Sequence, residues 1–237
     1  MILYKYMDFD DALLTLENST VVFSYLEDFN DPFECTGFGF YDLDVPMPVA
    51  IHAFRNNFSR KYAILSLTRT ALNPLMWSHY GDSYKGIVIG IDTKKAGFED
   101  GNQFIIPSTK GELRYLRTVP KEAIKINVDD LMSVGDSEKL NWNNNENLLK
   151  HALLYKMQEW AYEEEVWVVK NIYSAKFSYH SATEKNVVID GKNWKRISLG
   201  TRSLYTMEIP KEAIVEVYLG KTLMLINVEN RKLIKLL

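Results

Sequence analysis

Glu163 and Glu165 stand two residues apart at the end of the segment Lys156-x-x-x-Trp160-x-x-Glu163-x-Glu165. At the start of a strand, residues i and i+2 project to one face, so both carboxylates would share a face and Glu164 would take the other. Like charges side by side raise the pKa of one member unless a cation lies near, and Lys156 can supply that cation. A pair tuned in this way can do acid–base work. The plainer reading is a solvated acidic strand end, but Trp160 and Trp167 argue against simple exposure. Glu163 and Glu165 are therefore the candidate catalytic residues.

Two further blocks set polar side chains among large aromatics, the composition of a pocket with a few oriented groups. In Asn73-Pro74-Leu75-Met76-Trp77-Ser78-His79-Tyr80, a short helix would put Met76, Trp77 and Tyr80 close together and hold His79 at the mouth of a sheet, since Lys85-Gly86 turns directly into the apolar run Ile87–Ile91. A histidine there can act as acid, base or donor. In Phe29-Asn30-Asp31-Pro32-Phe33-Glu34, Asn30 and Asp31 suit a stiff turn. They serve as architecture or, alternatively, face a ligand together with Ser24.

Several chemistries find no footing. Serine-hydrolase, P-loop and dinucleotide-fold signatures are absent. The one cysteine, Cys35, excludes an intramolecular disulfide, and His and Cys spacing offers no zinc site. No metal is indicated. The net charge of −3 gives no global field for nucleic acid. No apolar run reaches the ~20 residues of a membrane span, and the N-terminus lacks the form of a signal peptide. A cytoplasmic protein with no membrane or strong nucleic-acid partner is expected.

The elements that must position these residues read as follows. Ile2–Tyr6 alternates as a strand, Asp8–Leu16 has helical spacing with Asp8 or Asp10 as cap, and Val21–Ser24 is a strand. Val49–Arg60 is a helix, Ala63–Leu67 a buried strand, and Asn73-Pro74 a helix start. Residues 136–147 form a mobile loop leading into the longest helix, about Glu146–Trp160, with Leu149, Leu153, Met157 and Trp160 as its stripe. Strands follow at Val166–Val169, Ser203–Ile209 and Ile214–Leu219, with a hairpin turning at Asp190-Gly191-Lys192-Asn193. Val228–Leu237 is a short helix. Pro120-Lys-Glu-Ala-Ile124 recurs at Pro210–Ile214, read as a shared turn device. With no linker or composition break, residues 1–237 form a single α+β domain with a mixed or antiparallel central sheet and several flanking helices.

With these motifs in place the chain resembles a widespread bacterial family of unknown function. The resemblance is carried by Leu3–Tyr6, Phe23-Ser24 with Phe29–Phe33, Met76–Tyr80 with Lys85-Gly86, Lys156–Glu165, and Tyr218–Gly220. One position departs: that family usually carries an Arg two residues after the second Glu, where this chain has Trp167. The layout is also similar, more loosely, to ADP-ribosyltransferase-like domains. That likeness implies NAD as substrate, Glu165 as the catalytic carboxylate, Glu163 positioning an acceptor, and Lys5, Tyr6, Ser24, His79 and Tyr80, with Asn30 and Asp31, around the cofactor. A toxin or phage-defence effector with an unknown acceptor or protein partner is the first expectation. A non-enzymatic ligand-sensing or interaction domain is the second, and a carboxylate metal-dependent nuclease the third.

Overall fold

A central strand that serves three neighbours organises the protein. The computed structural model describes residues 1–29, 61–117, 142–172, 184–199 and 202–222. β1 (Ile2–Met7), α1 (Phe9–Asn18) and β2 (Thr20–Tyr25) open the chain. They are followed by β3 (Tyr62–Thr68), α2 (Pro74–His79) and β4 (Ile87–Asp92). After them come β5 (Arg114–Leu116), α3 (Trp142–Leu153), β6 (Tyr155–Met157) and β7 (Glu165–Asn171). The last strands are β8 (Glu184–Ile189), β9 (Lys192–Leu199), β10 (Arg202–Glu208) and β11 (Ile214–Leu219). The sheet runs β11-β4-β1-β3-β2-β10-β9-β8, with β7 on β3, and its pairings are antiparallel. β5 and β6 form a separate parallel pair. This is the expected α+β domain.

The expected helix start signals are present as chemistry. The Asp8 carboxylate accepts from the Asp11 N–H at 2.8 Å and caps α1. Asn73 Oδ1 accepts from the N–H groups of Leu75 and Met76, and Pro74 fills the first turn of α2. The hairpin turns where expected, through Asp190 (φ 47°) and Gly191 (φ 76°) between β8 and β9. The second copy of the repeated pentapeptide makes a 3₁₀ turn, Lys211–Ala213, leading into β11. The first copy, the helices expected at 49–60 and 228–237, and residues 136–141 of the expected mobile loop lie outside the described residues.

One expectation is overturned. The helix placed at Glu146–Trp160 ends at Leu153 and begins earlier, at Trp142, with a kink at Asn145. Tyr155–Met157 is instead a strand in register with Arg114–Leu116, and Gln158–Glu163 is a 3₁₀ turn. The apolar spacing of Met157 and Trp160 fits a helix as well as the observed path. The deciding contact is long-range: the Arg114 N–H takes the Leu154 carbonyl at 2.7 Å. Residues 142–147 accordingly lie within α3.

β3 explains where a cavity can form. β7 occupies one edge in continuous register from Tyr62↔Asn171 to Thr68↔Glu165. β1 and β2 must share the other edge. β1 pairs with it at Tyr4↔Thr68 and β2 at Ser24↔Ile64 and Tyr25↔Ala63. Between these contacts neither strand is in register with Leu65–Leu67, so the two strands splay apart beside Ser66.

Alternation along β3 and β7 sorts the two faces. Ala63, Leu65, Leu67, Val166 and Val168 enter the main core with Phe23, Ile89 and Trp194. Tyr62, Ile64, Trp167 and Val169 pack on the other side against Leu149 and Leu153 of α3. The second face becomes polar as it continues to Ser66, Thr68 and Glu165.

Candidate active site

A cavity of about 190 Å³ opens at this polar end of the face and reaches the splayed strands. Lys5 and Tyr6 come to it from β1, Ser24 from β2, Ser66 and Thr68 from β3, and Tyr80 from the end of α2. The 3₁₀ turn and its flanks bring Lys156, Trp160, Glu163 and Glu165. Among liquid waters of ~30 Å³ each the space equals about six, and enclosed ligand pockets commonly run to ~300–1,000 Å³. One ring or sugar fits, not a whole dinucleotide.

Lys156 is the electrostatic centre. Its ammonium donates to Glu163 Oε2 at 2.7 Å and to Glu165 Oε2 at 2.8 Å, and all three side chains are buried. Its Nζ also sits 5.1 Å from the Trp160 ring centre. The second oxygens are engaged too. Glu163 Oε1 accepts from the Tyr80 hydroxyl at 2.5 Å. Glu165 Oε1 accepts from Ser66 Oγ at 2.5 Å and Trp167 Nε1 at 3.3 Å. The backbone N–H of Glu165 donates to the Tyr115 hydroxyl at 2.9 Å, which fixes the residue from β5.

The two carboxylates are brought together differently from the expected strand alternation. Glu163 ends the 3₁₀ turn, Glu164 takes a left-handed conformation at φ 45°, and Glu165 is the first residue of β7. The reversal at Glu164 swings both acids onto one ammonium. Glu164 itself is exposed.

One ammonium between two buried acids pushes their pKa values apart. Glu163 rises to about 7, because burial and the charge of Glu165 outweigh the pull of Lys156 and Tyr80. Glu165 falls below the usual carboxylate range: burial acts upward, but Lys156, Ser66 and Trp167 together hold the anion. The site therefore contains a persistent anion beside a group able to exchange a proton near neutrality. Burial and the neighbouring Glu163 raise the Tyr80 phenol, which stays a donor.

Lys5 is held separately. It is half-buried, and its ammonium donates to the Ser66 carbonyl at 2.9 Å, at the splayed stretch of β3. Burial pushes this amine below the ordinary lysine range, against weaker pulls from Glu165 and Asp11.

Of the residues singled out in the sequence, Lys5, Tyr6, Ser24, Tyr80, Glu163 and Glu165 converge on one cavity. Tyr6 contributes mostly architecture there, since its hydroxyl donates to the Thr70 carbonyl and accepts from the Asn73 N–H. His79 is exposed, with its ring 6.2 Å from Tyr80 and 6.4 Å from Tyr162, and does not line the cavity. On α2, residue 79 lies roughly 200° around the helix from the buried Trp77, whereas Tyr80, four residues after Met76, returns to the inward side. Asn30 and Asp31 lie outside the described residues.

Ser66 and Tyr115 escaped the sequence reading. Ser66 had a signal: it is the only polar residue in Ala63–Leu67. Tyr115 had none, because its role depends on β5 reaching β7.

Among the described residues no three His, Cys, Asp or Glu side chains gather as a metal site. The place between the carboxylates is held by Lys156. No helix among these residues is long and apolar enough to cross a membrane.

Residues 76–167 match the model of a family described as "Protein of unknown function (DUF2971)". The matched stretch runs from Met76 of α2 to Trp167 of β7 and includes both carboxylates, Lys156 and Tyr80. No curated protein and no solved structure matches the chain.

Proposed function

We propose that the cavity cleaves an N-glycosidic bond, with NAD as substrate, in the manner of an ADP-ribosyltransferase-like enzyme. The observation that supports this reading most is the pair of buried acids on one lysine, with Glu165 held anionic and Glu163 near pH 7. Departure of nicotinamide leaves positive charge on the ribose, and a fixed anion in a dry site stabilises it. Nicotinamide leaves as a neutral molecule and needs no acid. The group near neutrality is therefore useful as a base, taking the proton of the water or hydroxyl that attacks the sugar.

The remaining residues fit these steps. Glu165 lies against the anomeric carbon, and Glu163 accepts the proton of the incoming nucleophile. Ser24 and Lys5 hydrogen-bond the ribose hydroxyls, and Trp160 and Tyr80 wall the sugar. The cavity receives the ribose next to the nicotinamide, and the rest of the dinucleotide extends outward. Phe29 lines the cavity, and Asn30 and Asp31, the next two residues in sequence, remain candidates. His79 is a candidate for contact outside it. An effector role as a toxin or in phage defence, in the cytoplasm and on an unknown acceptor, agrees with such chemistry.

The test is release of nicotinamide from NAD by the purified chain. Wild type is expected to turn over, and Glu165→Gln to lose at least about 100-fold while retaining its melting temperature within a few degrees, the scale of losing one charge-stabilising group. Absence of turnover together with no NAD-induced rise in melting temperature would sink the reading. In that event a sensing role for the same cavity becomes the better account.

A further inference from the structure

We propose that Lys5 is a nucleophilic amine that condenses with the aldehyde of an open-chain sugar to form an imine within the cavity. The choice of sugar rests on the glycosidic reading above, since hydrolysis frees an anomeric carbon that opens to an aldehyde. The nucleophile itself rests on geometry. Among the described residues two lysines line this cavity, and they are held in opposite ways. Lys156 is bracketed by two carboxylates, and its lone pair is not available to a ligand while those ion pairs hold. Lys5 donates to one backbone carbonyl, that of Ser66, and among the described residues it makes no ion pair.

A half-buried amine with no bonded counter-ion among the described residues gives up its proton more readily, and the neutral form carries the lone pair an attack on carbon requires. Among the described residues, the titratable groups that act on Lys5 are Glu165 from β7 and Asp11 from α1, and both pull less than burial pushes. Ser66 sets the spacing: its carbonyl holds Lys5 and its hydroxyl holds Glu165, so the amine and the anion flank one residue of β3.

In the reaction the Lys5 nitrogen pair forms a bond to the aldehyde carbon, and the carbonyl π pair moves to oxygen. The nitrogen loses a proton and the oxygen gains one, giving a carbinolamine. Loss of that hydroxyl as water, with a second proton from nitrogen, leaves the C=N bond. The sum is amine plus aldehyde to imine plus water, with no oxidant or reductant. Glu163, half protonated near pH 7, can deliver the proton to the departing hydroxyl and recover it from the amine.

The test traps the imine. The full chain is incubated with glycolaldehyde or D-ribose and cyanoborohydride near pH 7, then digested and mapped by mass. Lys5 is expected to carry the reduced adduct from both compounds at least about tenfold above any exposed lysine, with Lys156 unmodified. Adducts spread over exposed lysines with Lys5 spared overturn the proposal. Labelling by glycolaldehyde alone overturns the sugar assignment. Lys5→Met should remove the dominant adduct, and if that variant does not fold, the wild-type map decides the matter. Nicotinamide release without a Lys5 adduct defeats this inference only. A Lys5 adduct without nicotinamide release defeats NAD as substrate and leaves the amine assigned.

Discussion

Glu163 is the residue whose chemistry is most exposed to test. Its pKa near 7 means that the folded chain binds a proton there which the unfolded chain has already released above its ordinary value of 4.5. The folded state therefore holds more protons between about pH 4.5 and 7, and stability falls as pH rises through that window. Glu165 has the opposite sign, and its contribution is lost as pH falls through its depressed value. Glu163→Gln should flatten the decline between pH 5 and 7, seen in denaturant midpoints measured across that range. In the wild type, nicotinamide release should rise with pH through about 7, because the ionised form is the base in the proposed reaction. Lys156 offers a cleaner stability test. Lys156→Met leaves two buried carboxylates facing each other without a cation, a change that costs about 3–5 kcal/mol when one partner of a buried pair is removed. Chemical denaturation at pH 7 checks it, and part of the loss should return at pH 5, where one carboxylate can protonate.

At the scale of elements, the site depends on how loops lie against β7. Gly111 accepts from the Trp167 N–H at 2.8 Å, and a Cβ built there would come 1.8 Å from the Trp167 carbonyl oxygen. Gly111→Ala must push this loop off β7, and Trp167 also donates to Glu165. A loss of about 3 kcal/mol, the upper end of ordinary overpacking, is expected with a shift in tryptophan fluorescence. Gly86 is similarly constrained, since a Cβ would lie 2.1 Å from the Met7 carbonyl oxygen, which gives the Lys85-Gly86 signal a structural cause. The helix expected at Glu146–Trp160 failed at this scale as well. Met157 and Trp160 keep helical spacing, but pairing of Tyr155–Met157 with β5 satisfies the backbone across the sheet instead.

At the scale of the molecule, β3 is the element on which the fold converges, with β7 on one edge and β1 and β2 dividing the other. Its residues are almost all buried, whereas the β8–β9 hairpin lies at the end of the sheet and leaves Val188 exposed. Native-state hydrogen exchange should accordingly be slowest in β3 and β7 and fastest in β8. Equal protection in β3 and β8 would contradict this order. The same division of β3 opens the cavity, so stability and site share one structural origin.

Local signals were enough for much of this protein. The alternation of Ile2–Tyr6, the Asp8 and Asn73 caps, the Asp190-Gly191 turn and the apolar run Ile87–Ile91 depend on neighbours within a few residues, and each matches an observed element. Lys156 and the two carboxylates were also visible as a group, because charged residues spaced among tryptophans are hard to explain as solvated surface, while Tyr80 stood out only within its own aromatic block. Tertiary structure alone decided the rest. It turned Glu164 left-handed so that both acids meet Lys156, set Ser66 and Tyr115 beside Glu165, left His79 outside, and gave Lys5 a backbone carbonyl where Lys156 has two carboxylates. Those outcomes depend on strands far apart in sequence meeting on β3, and on burial and hydrogen bonds that exist only after they meet.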